Sequence, residues 1–250
     1  MNGISKIKKN FCHASGISEN SEKILWENEV DSWEKFLDNF ENISCLPSSK
    51  LEKIRTEILF SIENLKNKNL NYFKAKLNPK DHWRLADSGK ICFVDIETTG
   101  LSRWTDDITM IGIYDGEVPY IYVKDDNLDE ARDKLKEFDI VVTFNGKQFD
   151  LPFIEHKFQE KYDVVHLDLR FLLKELGFSG GLKKIEKALG VNRAEEVADI
   201  DGFEAVRLWR RYKRGDENAL ELLLKYNEED IVNLKYLLDY YLREKLRLLN

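Results

Sequence analysis

The chain has 250 residues, 42% of them hydrophobic and 12% aromatic, enough for one large domain or one domain with a substantial extension. This composition excludes global disorder, and no apolar stretch reaches transmembrane length. The start lacks the apolar core of a secretion signal, and three scattered cysteines form no disulfide framework or zinc signature, so a reducing cytoplasm is expected. The net charge of -7 argues mildly against tight binding of long duplex nucleic acid, but hardly against a small site that grips one strand end.

Residues 1–85 are predicted to form a small helical N-terminal extension. Apolar residues recur near a 3.6-residue period over 21–40 and again over 51–65, after the break at Pro47. Asn78-Pro79 is a boundary signal. Two interpretations are open for the segments FCHASGI and LWENEV: a small helical nucleic-acid-binding hairpin, or an amphipathic structural cap, which we favour.

From Lys90 onward the pattern changes from helical to strand-rich, which predicts an α/β fold over residues 86–250. It consists of a mixed five-stranded sheet with flanking helices, three strands being antiparallel and two following crossover helices. The predicted strands are 91–96, 108–114, 118–123, 140–144 and 164–167, and the predicted helices are 128–138, 153–161, 169–176, 182–189, 203–212, 219–225 and 228–246.

Two acids, Asp95 and Glu97, end the apolar run that forms the first predicted strand. Residues two apart on a strand point to the same face, so the two carboxylates lie side by side. Two like charges on a mostly apolar strand are unfavourable unless something positive offsets them. A pair of divalent ions, held with two further carboxylates, is the obvious compensation, and such sites cut phosphodiesters. The sequence therefore predicts a metal-dependent nuclease.

Candidates for the two further carboxylates are Asp150 and Asp230. Asp150 follows the turn at Asn145-Gly146, after a buried strand whose end is expected beside the end of the first strand. The alternative for Asp150 is an ordinary helix cap. Asp230 lies four residues after Tyr226, on the same face of the last helix. The alternative for that pair is a core tyrosine and a solvated acid.

Two further segments carry candidate site residues. Gly180-Gly181 opens a helix before Lys183, and glycines with helix amides suit phosphate binding, although a plain loop is equally compatible. Asp168 follows the fifth strand and is either an acid that supports the metal ligands from behind or a helix cap.

The segments FVDIETTGL, NGKQFDLPF and YNEED resemble the three motifs of the DEDD superfamily of 3′–5′ exonucleases. The last has the Tyr-x-x-x-Asp form of the tyrosine branch, and the middle one is particularly similar to the proofreading domain of family B DNA polymerases. Residues 11–250 resemble the YprB-like group of ribonuclease H-like predicted exonucleases. The resemblance implies that the predicted sheet is ribonuclease H-like and that residues 86–250 are an exonuclease domain.

The resemblance also implies roles for individual residues. Asp95, Glu97 and Asp230 would hold the metal that carries the attacking water, and Asp95 and Asp150 would serve the second metal. Tyr226 would orient the water. The candidate contacts to the 3′-terminal nucleotide are Thr98, Leu101, Asn145 and Phe149, to which Lys183 is added from its glycine turn.

These observations together predict a two-metal 3′–5′ exonuclease that uses Mg²⁺ or Mn²⁺. It would act on the 3′ ends of single-stranded DNA or RNA, with DNA favoured, and release nucleoside 5′-monophosphates, without a membrane partner. Alternatives with the same site are an RNA exonuclease and a structure-specific endonuclease. An alternative of another class is a catalytically silent nucleic-acid-binding module, against which the complete set of four acids argues.

Overall fold

The computed structural model describes residues 5–249, which separate into two compact units, one within residues 1–90 and the other within residues 91–250. The predicted boundary after Leu85 coincides with the end of a 3-10 helix, whereas the division between the units lies at the start of the first strand. Residues 1–4 and Asn250, which the predicted domains include, lie outside the described residues.

The first unit is helical. The predicted helical stretch over 21–40 is interrupted, because Asn28 ends one helix, Glu29 adopts a φ of 65°, and Ser32 begins the next helix as its N-cap. The Ser32 hydroxyl accepts a hydrogen bond from the backbone N–H of Lys35 at 3.3 Å. The α-helices are α1 (Glu19–Glu27), α2 (Trp33–Asp38), α3 (Ser48–Lys66) and α4 (Leu70–Lys76), and 3-10 helices span Lys6–Lys9, Phe40–Asn42 and Pro79–Leu85.

Aromatic side chains form much of the core of this unit. The rings of Phe11 and Phe36 lie 5.7 Å apart, and those of His13 and Trp33 lie 5.2 Å apart. Phe11 and His13 belong to the FCHASGI segment, and both are buried. Because these side chains are used in packing, the structural interpretation of this segment is favoured over a nucleic-acid-binding hairpin.

The second unit contains the predicted mixed five-stranded sheet, which the structure confirms, with strand order β3-β2-β1-β4-β5. β2 is antiparallel to both β1 and β3, whereas β4 is parallel to both β1 and β5. The strands are β1 (Ile91–Thr98), β2 (Ile108–Tyr114), β3 (Pro119–Val123), β4 (Ile140–Thr143) and β5 (Val165–Asp168).

The helices of this unit follow the predicted order, with two differences. A short helix precedes the helix Gly202–Tyr212, and the two predicted helices over 219–225 and 228–246 are one continuous helix, because no glycine or proline interrupts this stretch. The helices are α5 (Glu130–Leu135), α6 (Asp150–Phe158), α7 (Leu169–Glu175), α8 (Leu182–Ala188), α9 (Glu195–Ala198), α10 (Gly202–Tyr212) and α11 (Glu217–Leu249). Among the described residues, no helix is long and apolar enough to cross a membrane.

The two faces of the sheet are covered by different helices. Cys92, Val94 and Ile96 of β1 pack in one core with residues of α5 and α6, whereas a second core joins β2 and β3 to α10 and α11. Side chains alternate between faces along a strand, so Asp95 and Glu97 point away from the α5–α6 core. This alternation directs both acids toward α11.

Candidate active site

Three carboxylates converge where β1 meets α11. Asp95 and Glu97 come from β1, and Asp230 comes from α11; one oxygen atom of each lies within 4.8 Å of the others. Carboxylate oxygens are hard ligands of the kind that Mg²⁺ and Mn²⁺ prefer. The structure therefore brings three of the four predicted metal ligands into one group.

Asp150, the fourth predicted ligand, reaches the same region from α6. The parallel pairing of β4 with β1 brings the loop after β4 beside the end of β1. Asp150 is the first residue of α6, and Phe149 occupies the N-cap position, so Asp150 is not the helix cap. Its Oδ1 accepts a hydrogen bond from the backbone N–H of Ile96 at 3.2 Å, and the residue lines the same cavity as the other three acids.

Burial and nearby negative charges raise the pKa values of all four acids. The pKa values of Asp95 and Glu97 are raised well above their ordinary range, first by burial and then by the charges of Asp230 and Asp150. Burial raises the pKa of Asp150 to about 7 and that of Asp230 to about 6, against the lowering effect of their hydrogen bonds. Divalent cations would reverse this electrostatic penalty, so the donor set fits such ions.

A buried arginine fixes Asp230. Arg193 Nη2 donates a hydrogen bond to Asp230 Oδ1, while its Nε and Nη2 donate to Glu186 at 2.7 Å each. Asn233 Nδ2 donates to the same glutamate at 3.0 Å. The side chains of Arg193 and Glu186 are 5% and 2% exposed, so this ion pair is almost fully removed from water. Sequence reasoning missed Arg193 because nothing in its local pattern connects it to a residue so distant in the chain.

An asparagine fixes Asp95. Asn227 Nδ2 donates to Asp95 Oδ2 at 3.0 Å, and its approach depends on Gly112, the residue opposite Asp95 on β2. A Cβ atom at position 112 would lie 2.2 Å from Asn227 Oδ1. Sequence reasoning did not single out either residue, although Asn227 lies within YNEED and a glycine inside a strand often marks a close approach.

Tyr226 has features of both interpretations made from the sequence, a core tyrosine and a residue of the active site. Its side chain is buried and packs in the α10–α11 core, yet it also lines the cavity with the acids. Burial, followed by the charge of Asp230, raises the pKa of its hydroxyl, which is therefore a neutral donor. The Nζ of Lys183 lies 5.2 Å from the ring centroid.

The cavity at the acids has a volume of about 880 Å³. Four of the five predicted substrate contacts line it: Thr98, Leu101, Asn145 and Phe149. Leu101 is 79% exposed, whereas Thr98 is buried and donates its hydroxyl hydrogen bond to the Gly100 carbonyl at 2.6 Å.

Lys183 and Asp168 differ from the other candidates because their side chains bind backbone groups. Lys183 is not among the described residues that line the cavity; its Nζ donates to the carbonyls of Val197, Ala198 and Ile200. Asp168 caps α7, and its carboxylate also accepts the backbone N–H groups of Asn145 and Lys147, at 2.8 and 3.1 Å. The cap interpretation of Asp168 accounts for the hydrogen bond from the Arg170 N–H at 3.1 Å, and the other two hydrogen bonds hold the turn that carries Asn145.

A face of α10 that sequence reasoning did not single out completes the cavity wall. It consists of residues spaced as i, i+3, i+4 and i+7, a spacing that was readable in the sequence as one helical stripe. These residues are Phe203, Val206, Arg207 and Arg210.

Comparison with known protein families gives one match over the second unit. The sequence profile of RNase_H_2, of the RNase_H superfamily, matches residues 92–242. A search of curated proteins finds no match.

The solved structures similar to this chain have low sequence identity to it. The family B DNA polymerase of the hyperthermophilic archaeon Pyrobaculum calidifontis is 16% identical, with a TM-score of 0.49 over 62% of this chain. The match spans only 24% of that polymerase. A nuclease in its apo form is 16% identical, with a TM-score of 0.44 over 68% of this chain and 79% of its own. NrnC of Brucella melitensis, bound to pGG, is 19% identical, with a TM-score of 0.43 over 63% of this chain and 76% of its own.

The sequence profile covers most of the second unit and all four acids of the site, and the structure confirms the predicted sheet. The chain belongs to the RNase H superfamily.

Proposed function

We propose that the chain is a divalent-metal-dependent 3′–5′ exonuclease that acts on single strands, with DNA as the favoured substrate. The observation that carries this proposal is the group of carboxylates from the half-buried Asp95 and the buried Glu97 and Asp230, joined by Asp150 around one open cavity. Four acids that repel one another destabilise a protein core, but they are suitable ligands for cations. The exonuclease direction and the release of nucleoside 5′-monophosphates come from the resemblance of the three motifs.

Two divalent ions, when bound, supply the positive charge that lowers the pKa of a water and stabilises the leaving oxygen. Asp95, Glu97 and Asp230 would hold one ion, and Asp95 and Asp150 would hold the other. The neutral hydroxyl of Tyr226 orients the attacking water by a hydrogen bond. Arg193 and Asn227 position the carboxylates of Asp230 and Asp95 before any substrate arrives, so little reorganisation is needed.

The walls of the cavity suit one terminal nucleotide. Its volume of about 880 Å³ lies within the range of small-molecule sites. Phe149 and Leu101 offer apolar surface to a base or sugar, and Asn145 offers polar atoms. Asn145 adopts a φ of 67° and its Oδ1 accepts a hydrogen bond from Arg170 at 2.6 Å, so its orientation is fixed.

Cleavage of end-labelled strands tests the proposal. Purified protein is incubated with single-stranded DNA, single-stranded RNA and duplex, each with Mg²⁺, Mn²⁺ or excess chelator. Strands labelled at the 5′ end should shorten one nucleotide at a time, and strands labelled at the 3′ end should release labelled mononucleotide first. Asp95→Ala should abolish cleavage, while Asp126→Asn, a charge change at an exposed acid, should leave it unaltered.

Each rival predicts a different result in the same experiment. Internal cutting of a circular single strand would identify an endonuclease, and a preference for RNA would identify an RNA exonuclease. Binding without cleavage under every divalent ion would identify a silent binding module. Robust cleavage in excess chelator would refute the metal-dependent mechanism.

A further inference from the structure

One helical stripe of α10 faces the cavity from outside the acid group. Phe203, Val206, Arg207 and Arg210 all line the cavity whose other wall carries the four acids. With a helical rise of about 1.5 Å per residue, the stripe runs about 10 Å from Phe203 to Arg210. This length corresponds to about three nucleotides at the 3.4 Å spacing of a strand in duplex DNA.

The charges along the cavity are unevenly distributed. The four acids cluster where the end of β1, the start of α6 and the middle of α11 meet, whereas Arg207 and Arg210 are exposed on the stripe. Arg207 makes an ion pair with Glu204 at 3.1 Å, with the two side chains 72% and 36% exposed, so the pair is weak and easily exchanged for a phosphate. Arg210 has no ion-pair partner among the residues that the structure describes.

Two residues at the start of α10, Asp201 and Phe203, also line the cavity. The carboxylate of Asp201 caps the helix by accepting the backbone N–H of Glu204 at 2.9 Å. Phe203 is 75% exposed. A single exposed apolar residue needs no special explanation by itself. Phe203 is explained here by its position on the same stripe as two exposed arginines, along a cavity of about 880 Å³.

We propose that this stripe is the binding wall for the nucleotides that lie upstream of the two that flank the scissile bond. Arg207 and Arg210 contact successive phosphates of the single strand, and the ring of Phe203 stacks on an upstream base. Arginine with an aromatic side chain is the combination by which proteins bind single strands without sequence preference. The inference deepens the proposed function and rests on it, because the strand runs away from a 3′ end held at the four acids.

Steady-state kinetics on substrates of two lengths test the inference. A twelve-residue oligodeoxythymidylate reaches the stripe, whereas a dinucleotide occupies only the acid end. For the long strand, the double variant R207Q/R210Q should raise KM at least about tenfold, with kcat nearly unchanged. F203A should raise KM about 5- to 150-fold, the range for one lost base stack. Both variants should cleave the dinucleotide as wild type does.

Salt dependence and a matched control complete the experiment. Because each lost phosphate contact in a single strand removes about 0.7 from the slope of log affinity against log salt, R207Q/R210Q should reduce that slope by about 1.4. R214Q changes the charge at an exposed residue that does not line the cavity, and it should behave as wild type on both substrates.

The outcomes separate this inference from the proposed function. If wild type cleaves neither substrate, the proposed function fails. If wild type cleaves and the α10 variants match R214Q on the long strand, the inference is overturned and the exonuclease stands. Equal losses on both substrates would also overturn it, because they would show an effect on the acid end rather than on the strand.

Discussion

Asp150→Asn should stabilise the metal-free protein at neutral and alkaline pH while removing its activity. Asp150 is 3% exposed, and burial raises its pKa from 3.8 to about 7, an effect that its hydrogen bonds to backbone N–H groups only partly offset. Below pH 3.8 the carboxyl is neutral in the folded and unfolded chain alike. Between pH 3.8 and about 7 the unfolded chain ionises first, so folded-state stability falls as pH rises.

The size of the effect follows from the two pKa values. The interval from 3.8 to about 7, at about 1.4 kcal/mol per pH unit, corresponds to about 4 kcal/mol of lost unfolding free energy at pH 8. Asparagine keeps the shape and an acceptor oxygen for the Ile96 N–H, but it carries no charge. In a domain of this size 1 kcal/mol shifts Tm by about 2–4 °C, so Asp150→Asn should raise Tm by up to about 8–16 °C.

Thermal unfolding in excess chelator, from pH 4 to pH 8, measures this increase in Tm directly. The difference between Asp150→Asn and wild type should be near zero at pH 4 and should grow with pH, whereas Asp126→Asn should track wild type throughout. Adding Mg²⁺ at pH 8 should stabilise wild type more than the variant, because the variant has lost a ligand. A variant that is equally or less stable than wild type at pH 8 would refute the idea of a desolvated, repelled carboxylate.

Two further substitutions and one ligand removal follow from the same geometry. Tyr226→Phe should slow single-turnover cleavage about ten- to a hundredfold, the effect of one lost hydrogen bond to a charged group, with little change in Tm; an unaltered rate would remove the hydroxyl from the mechanism. Gly112→Ala places a methyl 2.2 Å from Asn227 Oδ1 and should displace the amide from Asp95, lowering the cleavage rate at least about tenfold. Gly181→Ala, which adds a methyl to open space, is its control and should leave the rate unchanged. Chelator should abolish cleavage by wild type and lower its Tm at pH 8, and an unchanged Tm would argue against a cation at the acids.

The sheet could be predicted from the sequence because its strands are short apolar runs bounded by turn residues. The predicted limits of β2, 108–114, coincide with the observed strand Ile108–Tyr114. The alternation of side chains along β1 placed Asp95 and Glu97 on one face, and the parallel pairing of β1 with β4 brought the loop containing Asp150 beside them. The alternation is a local rule, whereas the pairing of β1 with β4 is a topological rule that joins residues far apart in the chain.

The errors arise where the local pattern is compatible with more than one structure. The 3.6-residue period continues from α1 into α2 although the backbone turns at Glu29, because apolar spacing reports a buried face and not the continuity of a helix. The glycine turn before Lys183 suggested a phosphate site, but the ammonium group instead binds three carbonyls near the end of α9. Sequence alone does not show which acceptors tertiary folding brings within reach of a long side chain.

The positive charge within the described part of the site is too small to stabilise four ionised carboxylates. Arg193 donates to Asp230, but the same guanidinium is also bound twice by Glu186, so its charge is shared between two buried acids. Asn227 offers Asp95 a dipole and no charge. Both partners therefore orient carboxylates without neutralising the group, which is consistent with the raised pKa values of all four acids. Two divalent cations would balance four carboxylates, and the same ions would supply the chemistry of phosphodiester cleavage. An arrangement that holds its acids in place while leaving them unneutralised is unfavourable for stability alone, and it supports the proposed role of the four acids in holding cations.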